Sequence, residues 1–128
     1  MQAKDIMTTQ VMTVKPETLI KDAMKLLVGI EISGLIVADD QNNIIGVITE
    51  RDLMMAYDIL KDTKAPIRDY MNTSIMSVAE DTPMEEISKL LVQGDIRRVP
   101  VVKDGKILGV ISRRDILKWI LKTQEKRV

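Results

Sequence analysis

The sequence predicts a mixed α/β (α+β) fold built from two similar units, each with the order strand, helix, strand, strand, helix. Residues 5–7 (Asp-Ile-Met) recur as residues 69–71 (Asp-Tyr-Met), and residues 25–28 recur unchanged as residues 89–92. Short β-branched apolar stretches also alternate with stretches of helical spacing. A tandem repeat of this size implies two units about a pseudo-two-fold axis, so any site in one unit has a potential twin.

The first unit is predicted from apolar spacing and turn residues. Its elements are a strand at 11–14, a helix over 19–30, buried strands at 35–38 and 44–48, and a helix at 50–60. Lys15-Pro16 ends the first strand, and we expect Thr18 to cap the helix that follows. The polar residues 39–43 are expected to form the loop between the two buried strands.

The second unit repeats this order after a linker near residues 62–66. Its elements are a strand at 75–78, a helix from 83 to about 92, buried strands at 98–102 and 107–111, and a helix at 113–121. Residues 82–85 (Thr-Pro-Met-Glu) have the pattern of a capping box with proline at the first helical position. Residues 103–106 (Lys-Asp-Gly-Lys) are predicted to form the turn between the strands. The repeats are therefore placed at residues 1–64 and 65–128.

One such unit, with about 50–60 residues, would be only marginally stable alone, because small domains bury a small fraction of their surface. The chain has 128 residues with 45% apolar content, which is enough for a sizeable core. We therefore expect the two repeats to pack sheet to sheet as one module, with a cleft near the strand ends.

The composition excludes several classes of function. The chain has no Cys and no His, which excludes disulfides, thiolate or imidazole metal sites and Ser-His-Asp catalysis. Nineteen basic residues balance nineteen acidic ones, so a nucleic-acid partner is not expected. No apolar run approaches the roughly 20 residues of a membrane span, and no signal peptide is evident. A soluble cytoplasmic protein without a metal is expected.

One motif whose side chains could bind a ligand occurs in both repeats, as Gly-x-x-hydroxyl-x-x-Asp. Its hydroxyl and carboxylate residues are Thr49 and Asp52 in the first repeat, and Ser112 and Asp115 in the second. Each copy lies where a predicted strand turns into a helix, and a helix N-terminus attracts phosphate. The hydroxyl can donate to a phosphate oxygen, and the carboxylate can accept from ribose hydroxyls.

An alternative explanation is an ordinary capping box, in which hydroxyl and carboxylate satisfy backbone donors and bind no ligand. The glycines at the start of the motif, Gly46 and Gly109, favour a binding site, because glycine permits close backbone approach beside a cleft. Arg51 and Arg114 add cations beside the expected anion position. Both explanations remain open from the residues alone.

From about Asp5 to Ile120 the chain resembles a tandem pair of CBS domains, the cystathionine-β-synthase-type regulatory modules, of the stand-alone prokaryotic type. Three features carry the resemblance: Asp-x-Met near each start, the Val-Pro-Val-Val stretch at 99–102, and Gly-Val-Ile-(Thr/Ser)-x-Arg-Asp at 46–52 and 109–115. The resemblance implies two clefts that bind adenosine-containing ligands such as AMP, ADP, ATP or S-adenosylmethionine. It assigns the phosphate and ribose contacts to Thr49 with Asp52 and to Ser112 with Asp115.

The two copies differ where this family often places a basic residue, just before the Val-Pro-Val-like strand. The second repeat has Arg98 there, next to Arg97, whereas the first has Ser33 and Gly34. The second cleft is therefore expected to suit a charged phosphate better. The alternative is that Arg97 and Arg98 form a solvated or salt-bridged strand end, with Asp95 or Glu31 as partner for Arg98. Two further residues, Ile32 and Ile96, are expected to line the adenine pocket or simply to belong to the core.

The function predicted from these features is a non-catalytic regulatory module that binds an adenosine-containing nucleotide and signals to a partner. The alternatives are a structural or protein-interaction module with vestigial clefts, an S-adenosylmethionine sensor and, with less support, an enzyme, since no base, nucleophile or metal cluster accompanies the acids. A homodimer is also expected. Its candidate surface residues are Leu53, Met54, Tyr57, Ile116, Trp119 and Ile120.

Overall fold

The structure is a computed structural model that describes residues 1–94 and 96–125. Its helices and strands confirm the predicted mixed class. In chain order they are α1 (Ala3–Ile6), β1 (Thr13–Val14), α2 (Ile20–Ile30), β2 (Gly34–Ala38), β3 (Ile44–Thr49), α3 (Glu50–Leu60), a 3₁₀ helix (Ile67–Asp69), α4 (Met84–Gln93), β4 (Arg98–Lys103), β5 (Lys106–Ser112) and α5 (Arg113–Glu125). No helix in this described part is long and apolar enough to cross a membrane.

The chain forms two compact units that do not coincide with two contiguous halves of the sequence. The central unit is residues 12–75, and the terminal unit combines residues 1–11 with residues 76–128. The boundary predicted after residue 64 describes the sequence repeat. In space, the first residues of each repeat pack with the body of the other repeat.

The central unit has a three-stranded sheet with the order β1-β2-β3. Strand β1 is parallel to β2, and β2 is antiparallel to β3, with Leu35 opposite Ile48. Helices α2 and α3 contribute Ile20 and Leu53 to its core. Its other buried core residues are Val14, Ala23, Leu27, Leu35, Val37, Ile48, Ala56 and Ile67.

The terminal unit contains the antiparallel pair β4–β5. Its hairpin turn has positive φ at both central residues, 52° at Asp104 and 81° at Gly105, which is the turn type that Asp-Gly favours between antiparallel strands. The strand predicted at 75–78 is not formed as such: only Val78 makes a single parallel bridge, to Val101. The buried core residues of this unit are Ala3, Val78, Met84, Ile87, Leu91, Val99, Val101, Ile111 and Ile116.

The first residues of each repeat form a segment that packs in the unit formed mainly by the other repeat, and the two segments are equivalent. We name them strap 1 (residues 1–8) and strap 2 (residues 65–72). Strap 1 packs in the terminal unit, where the amide of Ala3 donates to the carbonyl of Thr82 at 2.9 Å. Strap 2 packs in the central unit, where the amide of Ile67 donates to the carbonyl of Thr18 at 2.8 Å. Ala3 and Ile67 are both fully buried, so each strap is part of a core.

The predicted threonine caps of α2 and α4 are wrong. The N-cap residues are Leu19 and Pro83, and neither makes a side-chain capping bond. The straps supply the missing acceptors: Ala65 O accepts from the first amide of α2, and Met1 O from that of α4, at 2.9 and 3.1 Å. Tertiary contacts thus satisfy the helix ends, and the hydroxyl of Thr82 instead accepts from the amide of Ala79 at 3.0 Å.

The motif glycines accommodate the straps. A Cβ at Gly109 would lie 2.8 Å from the backbone oxygen of Thr8 and 2.8 Å from the sulfur of Met7. At Gly46 it would lie 2.5 Å from the sulfur of Met71 but 3.3 Å from the nearest backbone oxygen, that of Asn72. The expectation that these glycines admit a ligand is therefore corrected, because the close approach at both positions is made by the chain itself.

Gly109→Ala is expected to lower the free energy of unfolding by about 1–3 kcal/mol, because the added methyl overpacks a site bounded by backbone. Gly46→Ala is expected to cost less, since its contact below 3 Å is with the flexible side chain of Met71. Gly29→Ala, in α2 with nothing within 4 Å, is the control and is expected to stabilise by about 0.5–1 kcal/mol. Denaturant unfolding measures all three. Equal effects at Gly109 and Gly46 would contradict the difference in their surroundings.

Candidate functional site

The site residues of the central unit lie at the junction of β3 and α3. Thr49 is the N-cap of α3, and its amide and hydroxyl both donate to Oδ2 of Asp52, each at 2.9 Å. The amide of Asp52 donates back to the Thr49 hydroxyl oxygen at 3.3 Å. Thr49 and Asp52 are half-buried.

The terminal unit repeats this geometry at the junction of β5 and α5. Ser112 donates to Oδ2 of Asp115 from its amide at 2.8 Å and from its hydroxyl at 3.0 Å. The amide of Asp115 donates to the Ser112 hydroxyl oxygen at 3.2 Å. The capping arrangement proposed as the alternative explanation is therefore present in both units.

This arrangement decides which atoms remain open to a ligand. The single hydroxyl hydrogen of Ser112 is already donated to Asp115, so the serine reaches a phosphate as a donor only if that bond breaks. Oδ1 of Asp115 and Oδ1 of Asp52 have no hydrogen-bond donor within residues 1–94 and 96–125. A ribose hydroxyl could donate to either Oδ1 without disturbing the cap.

The N-termini of α3 and α5 each have one backbone amide without a protein acceptor among the described residues. The first amide of α3, that of Glu50, donates to the carbonyl of Ser33 at 3.0 Å, and the first amide of α5, that of Arg113, donates to the carbonyl of Arg97 at 3.1 Å. The next amides, those of Arg51 and Arg114, have no protein acceptor in the described part of the chain. Such an amide at a helix N-terminus is suited to an anion.

The strand register distinguishes the two units. Arg98 lies directly opposite Ser112 in the β4–β5 pair, whereas Gly34 lies directly opposite Thr49 in the β2–β3 pair. The structure therefore places Arg98 at the same strand end as the Ser112–Asp115 pair. Burial lowers the pKa of the Arg98 guanidinium below its ordinary value, because desolvation disfavours the charged form.

The other predicted ligand residues lie in the first turns of α3 and α5 or against the two cores. Arg51 and Arg114 are exposed in the first turns of α3 and α5. Ile32 packs against the core of the central unit and Ile96 against that of the terminal unit, and both are half-buried. Asp95, a predicted alternative partner of Arg98, lies outside the described residues.

A groove with a different lining lies elsewhere in the terminal unit. It has a volume of about 370 Å³, and its lining residues are Lys4, Ala79, Glu80, Asp81, Val102 and Lys103. None of the predicted ligand residues is among them, and two of the charged lining residues, Lys103 and Glu80, form a surface ion pair at 3.3 Å. The groove is open to solvent and carries both positive and negative side chains. No cluster of three potential metal-ligating residues occurs in the described part of the chain.

Comparison with known proteins decides the family. The family model for the CBS domain matches twice, at residues 3–59 and 67–122. The chain belongs to the CBS domain family. Its two matches coincide with the sequence repeats, and each begins within a strap.

Relatives and solved structures agree with this assignment. The chain is 33% identical over 121 residues to an uncharacterized 17.7 kDa protein of Acidianus ambivalens, covering 94% of this chain and 73% of that protein. Four other relatives, which include two inosine-5'-monophosphate dehydrogenases, are longer, and the chain spans only 22% to 42% of their length.

Two structural neighbours contain adenosine compounds. The crystal structure of CBSX2 of Arabidopsis thaliana in complex with AMP is 32% identical, has a TM-score of 0.85, and is covered over 96% of this chain and 98% of that one. The CBS domain pair of protein MJ0100, in complex with 5'-methylthioadenosine and S-adenosyl-L-methionine, is 26% identical with a TM-score of 0.79, and 94% and 99% of the two chains are covered. The two-repeat CBS-pair fold is therefore shown.

Sequence reasoning missed the strap residues that lie beside the sites. Thr8 pairs with Val110 through two backbone hydrogen bonds, and Asn72 pairs in the same way with Val47. The signal was present, because both residues directly follow the repeated Asp-x-Met segment. What the sequence did not show is that each segment pairs with a strand of the other repeat.

Proposed function

We propose that this CBS-pair chain is a non-catalytic regulatory module that binds an adenosine-containing nucleotide at the β5–α5 junction of the terminal unit and signals its occupancy to a partner. Ser112, Asp115, Arg98 and Arg114 are the proposed contacts, with Ile96 beside the base. A second, weaker site uses Thr49, Asp52, Arg51 and Ile32 of the central unit. The adenosyl compounds bound by two structural neighbours support this ligand class.

The observation that carries the proposal is the cross-strand placement of Arg98 opposite Ser112. It sets a guanidinium at the same strand end as a helix N-terminus with an open amide and a carboxylate with an open oxygen. A phosphate would meet the arginine and the amide of Arg114, and a ribose hydroxyl would donate to Oδ1 of Asp115.

Titration calorimetry with AMP, ADP, ATP, S-adenosylmethionine and adenosine tests the proposal directly. Saturable heat for at least one of these compounds, with the compound recovered unchanged after incubation, is the expected result. Turnover of a nucleotide would contradict the non-catalytic assignment. Preference for S-adenosylmethionine over AMP would identify the chain as a sensor of that compound. It would also indicate that Arg98 is not the main residue for ligand recognition.

A specific observation favours a second function, a protein-interaction module with vestigial sites. Both hydroxyl–carboxylate pairs are complete capping boxes without a ligand, so they account for the residues through helix stability alone. This function predicts no heat with any adenosyl compound and no ligand-dependent rise in melting temperature.

We also propose that the chain is a homodimer through exposed apolar residues of α3 and α5. Met54 and Tyr57 are exposed over 71% and 47% of their surface, and Ile120 over 40%. Leu53 and Ile116 are buried in their own cores, so these two members of the predicted surface are corrected. Trp119 is half-buried against the core of the terminal unit.

Sedimentation at micromolar concentration is expected to give a mass near twice 14.5 kDa. Met54→Glu is expected to shift the population to monomer without unfolding, because a charge in a buried interface is costly while an exposed charge is not. Lys61→Glu, also on exposed surface at the end of α3, is the control and should leave the mass unchanged. A monomer for the unsubstituted chain would overturn the dimer.

A further inference from the structure

Each strap is bonded to the strand that ends at a proposed ligand hydroxyl. In the terminal unit, the amide of Thr8 donates to Val110 O at 2.9 Å, and the amide of Val110 donates to Thr8 O at 3.0 Å. Val110 precedes Ser112 by two residues on β5, which corresponds to about 7 Å along a strand. The sulfur of Met7 lies against Gly109, the next residue back along β5.

Strap 1 is also fixed at its other end. Its Ala3 and Lys4 amides donate to the carbonyls of Thr82 and Glu80, each at 2.9 Å, and Met1 O accepts from the first amide of α4. Ala3 has no exposed surface. The strap therefore runs from the start of α4 to the end of β5 as a bonded segment, and it holds β5 in one position relative to the start of α4.

Strap 2 makes the equivalent contacts in the central unit. Asn72 and Val47 exchange backbone hydrogen bonds at 2.8 and 2.9 Å, two residues before Thr49, and the sulfur of Met71 lies against Gly46. Ile67 and Arg68 donate to the carbonyls of Thr18 and Pro16 at 2.8 and 3.2 Å. The equivalence of all these contacts shows that the arrangement is a property of the repeat.

We propose that each strap is the positioning element for the ligand pair of the unit in which it packs. Strap 1, which belongs to the first sequence repeat, positions Ser112 and Asp115 of the second, and strap 2 positions Thr49 and Asp52 of the first. The assignment of a ligand to these pairs rests on the proposed function, whereas the positioning itself does not. Strap residues Met7 and Met71 act through the backbone of β5 and β3.

The ligand-dependent test uses the full chain with AMP as the probe. Asp52→Ala removes the weaker site, so that the titration reports the Ser112–Asp115 pair. In that background Gly109→Ala, which drives a methyl against Thr8 O, is expected to weaken AMP binding about tenfold, because a binding pair needs its geometry held to within about 0.5 Å. Gly29→Ala, on the open surface of α2, is the control and is expected to leave the affinity unchanged.

The second test needs no ligand and therefore separates the positioning from the proposed function. Amide hydrogen exchange of the ligand-free chain follows Ser112 and Asp115, whose amides bond within the pair, relative to the core amide of Ile111. Gly109→Ala is expected to accelerate exchange at Ser112 and Asp115 by about tenfold or more relative to Ile111, while Thr49 and Asp52 keep their protection. Gly46→Ala is expected to give the reverse pattern.

Met7→Ala provides a milder perturbation if Gly109→Ala does not fold, since it removes the side chain against Gly109 without adding a clash. The same local acceleration at Ser112 and Asp115 supports the positioning role. A uniform change in exchange over both pairs and the core, or no change at the Ser112–Asp115 pair in the folded variant, would overturn it. If no adenosyl compound binds the unsubstituted chain while the local exchange pattern is found, the proposed function fails and the positioning stands.

Discussion

Replacing Asp115 with alanine is expected to weaken AMP binding by about 1.5–3 kcal/mol, or roughly 10- to 150-fold in Kd, because a charge-assisted ribose contact at Oδ1 is lost. The same change also removes the capping carboxylate that accepts from the amide and hydroxyl of Ser112 at Oδ2. It should therefore lower the free energy of unfolding by about 0.5–2 kcal/mol as well. Calorimetric titration paired with denaturant unfolding measures both quantities.

The matched substitution Asp52→Ala separates the two roles of the carboxylate. It removes an equivalent cap from α3, since Thr49 and Asp52 make the same set of bonds. We expect a similar loss of stability but a much smaller loss of AMP affinity, because the central unit has Gly34 where the terminal unit has Arg98. If Asp115→Ala lowered stability while the folded protein kept its full affinity for every adenosyl compound, the ribose assignment would be wrong.

Replacing Arg98 with alanine is expected to remove most of the preference of the terminal unit for a phosphorylated ligand. The unsubstituted chain should fill the Ser112–Asp115 site with AMP about tenfold or more in preference to the Thr49–Asp52 site, since a guanidinium–phosphate contact contributes roughly 1.5–3 kcal/mol. Adenosine, which has no phosphate, should bind the Arg98→Ala variant nearly as well as the unsubstituted chain. Titration of both proteins with both ligands gives the result.

Arg97→Ala is the matched control for the loss of one positive charge. Arg97 is exposed, whereas Arg98 is half-buried opposite Ser112. An exposed charge is largely screened, so Arg97→Ala should change AMP affinity little at physiological salt. Equal losses for AMP and adenosine in Arg98→Ala would indicate that Arg98 supports the strand end and does not contact a phosphate.

The elements that are determined by local sequence were predicted closely. Helix α3 runs over Glu50–Leu60 as predicted, because its apolar spacing and its own capping box are both local features. The Asp-Gly turn between β4 and β5 is likewise local, since only those two residues must adopt positive φ.

Features that depend on distant partners were not predictable in the same way. Thr18 and Thr82 have the sequence of N-caps, yet strap carbonyls at Ala65 and Met1 take that role. The stretch at 75–78 has strand propensity but forms only one bridge, at Val78, because an extended segment becomes a strand only where a neighbour pairs along its length. Local capping and strand propensities are therefore overridden by the presence or absence of a hydrogen-bond partner from elsewhere in the chain.

The sequence by itself determined that the chain is a duplicated pair of units with two Gly-x-x-hydroxyl-x-x-Asp motifs, because identity and spacing suffice to show a repeat, and its motifs carried the resemblance to a CBS pair. Only the tertiary structure decided that the start of each repeat packs with the other. It also decided that Gly46 and Gly109 make room for Met71 and Met7, and that Arg98 lies opposite Ser112. These outcomes depend on strand register and on backbone contacts between residues up to about a hundred positions apart, which no local pattern encodes.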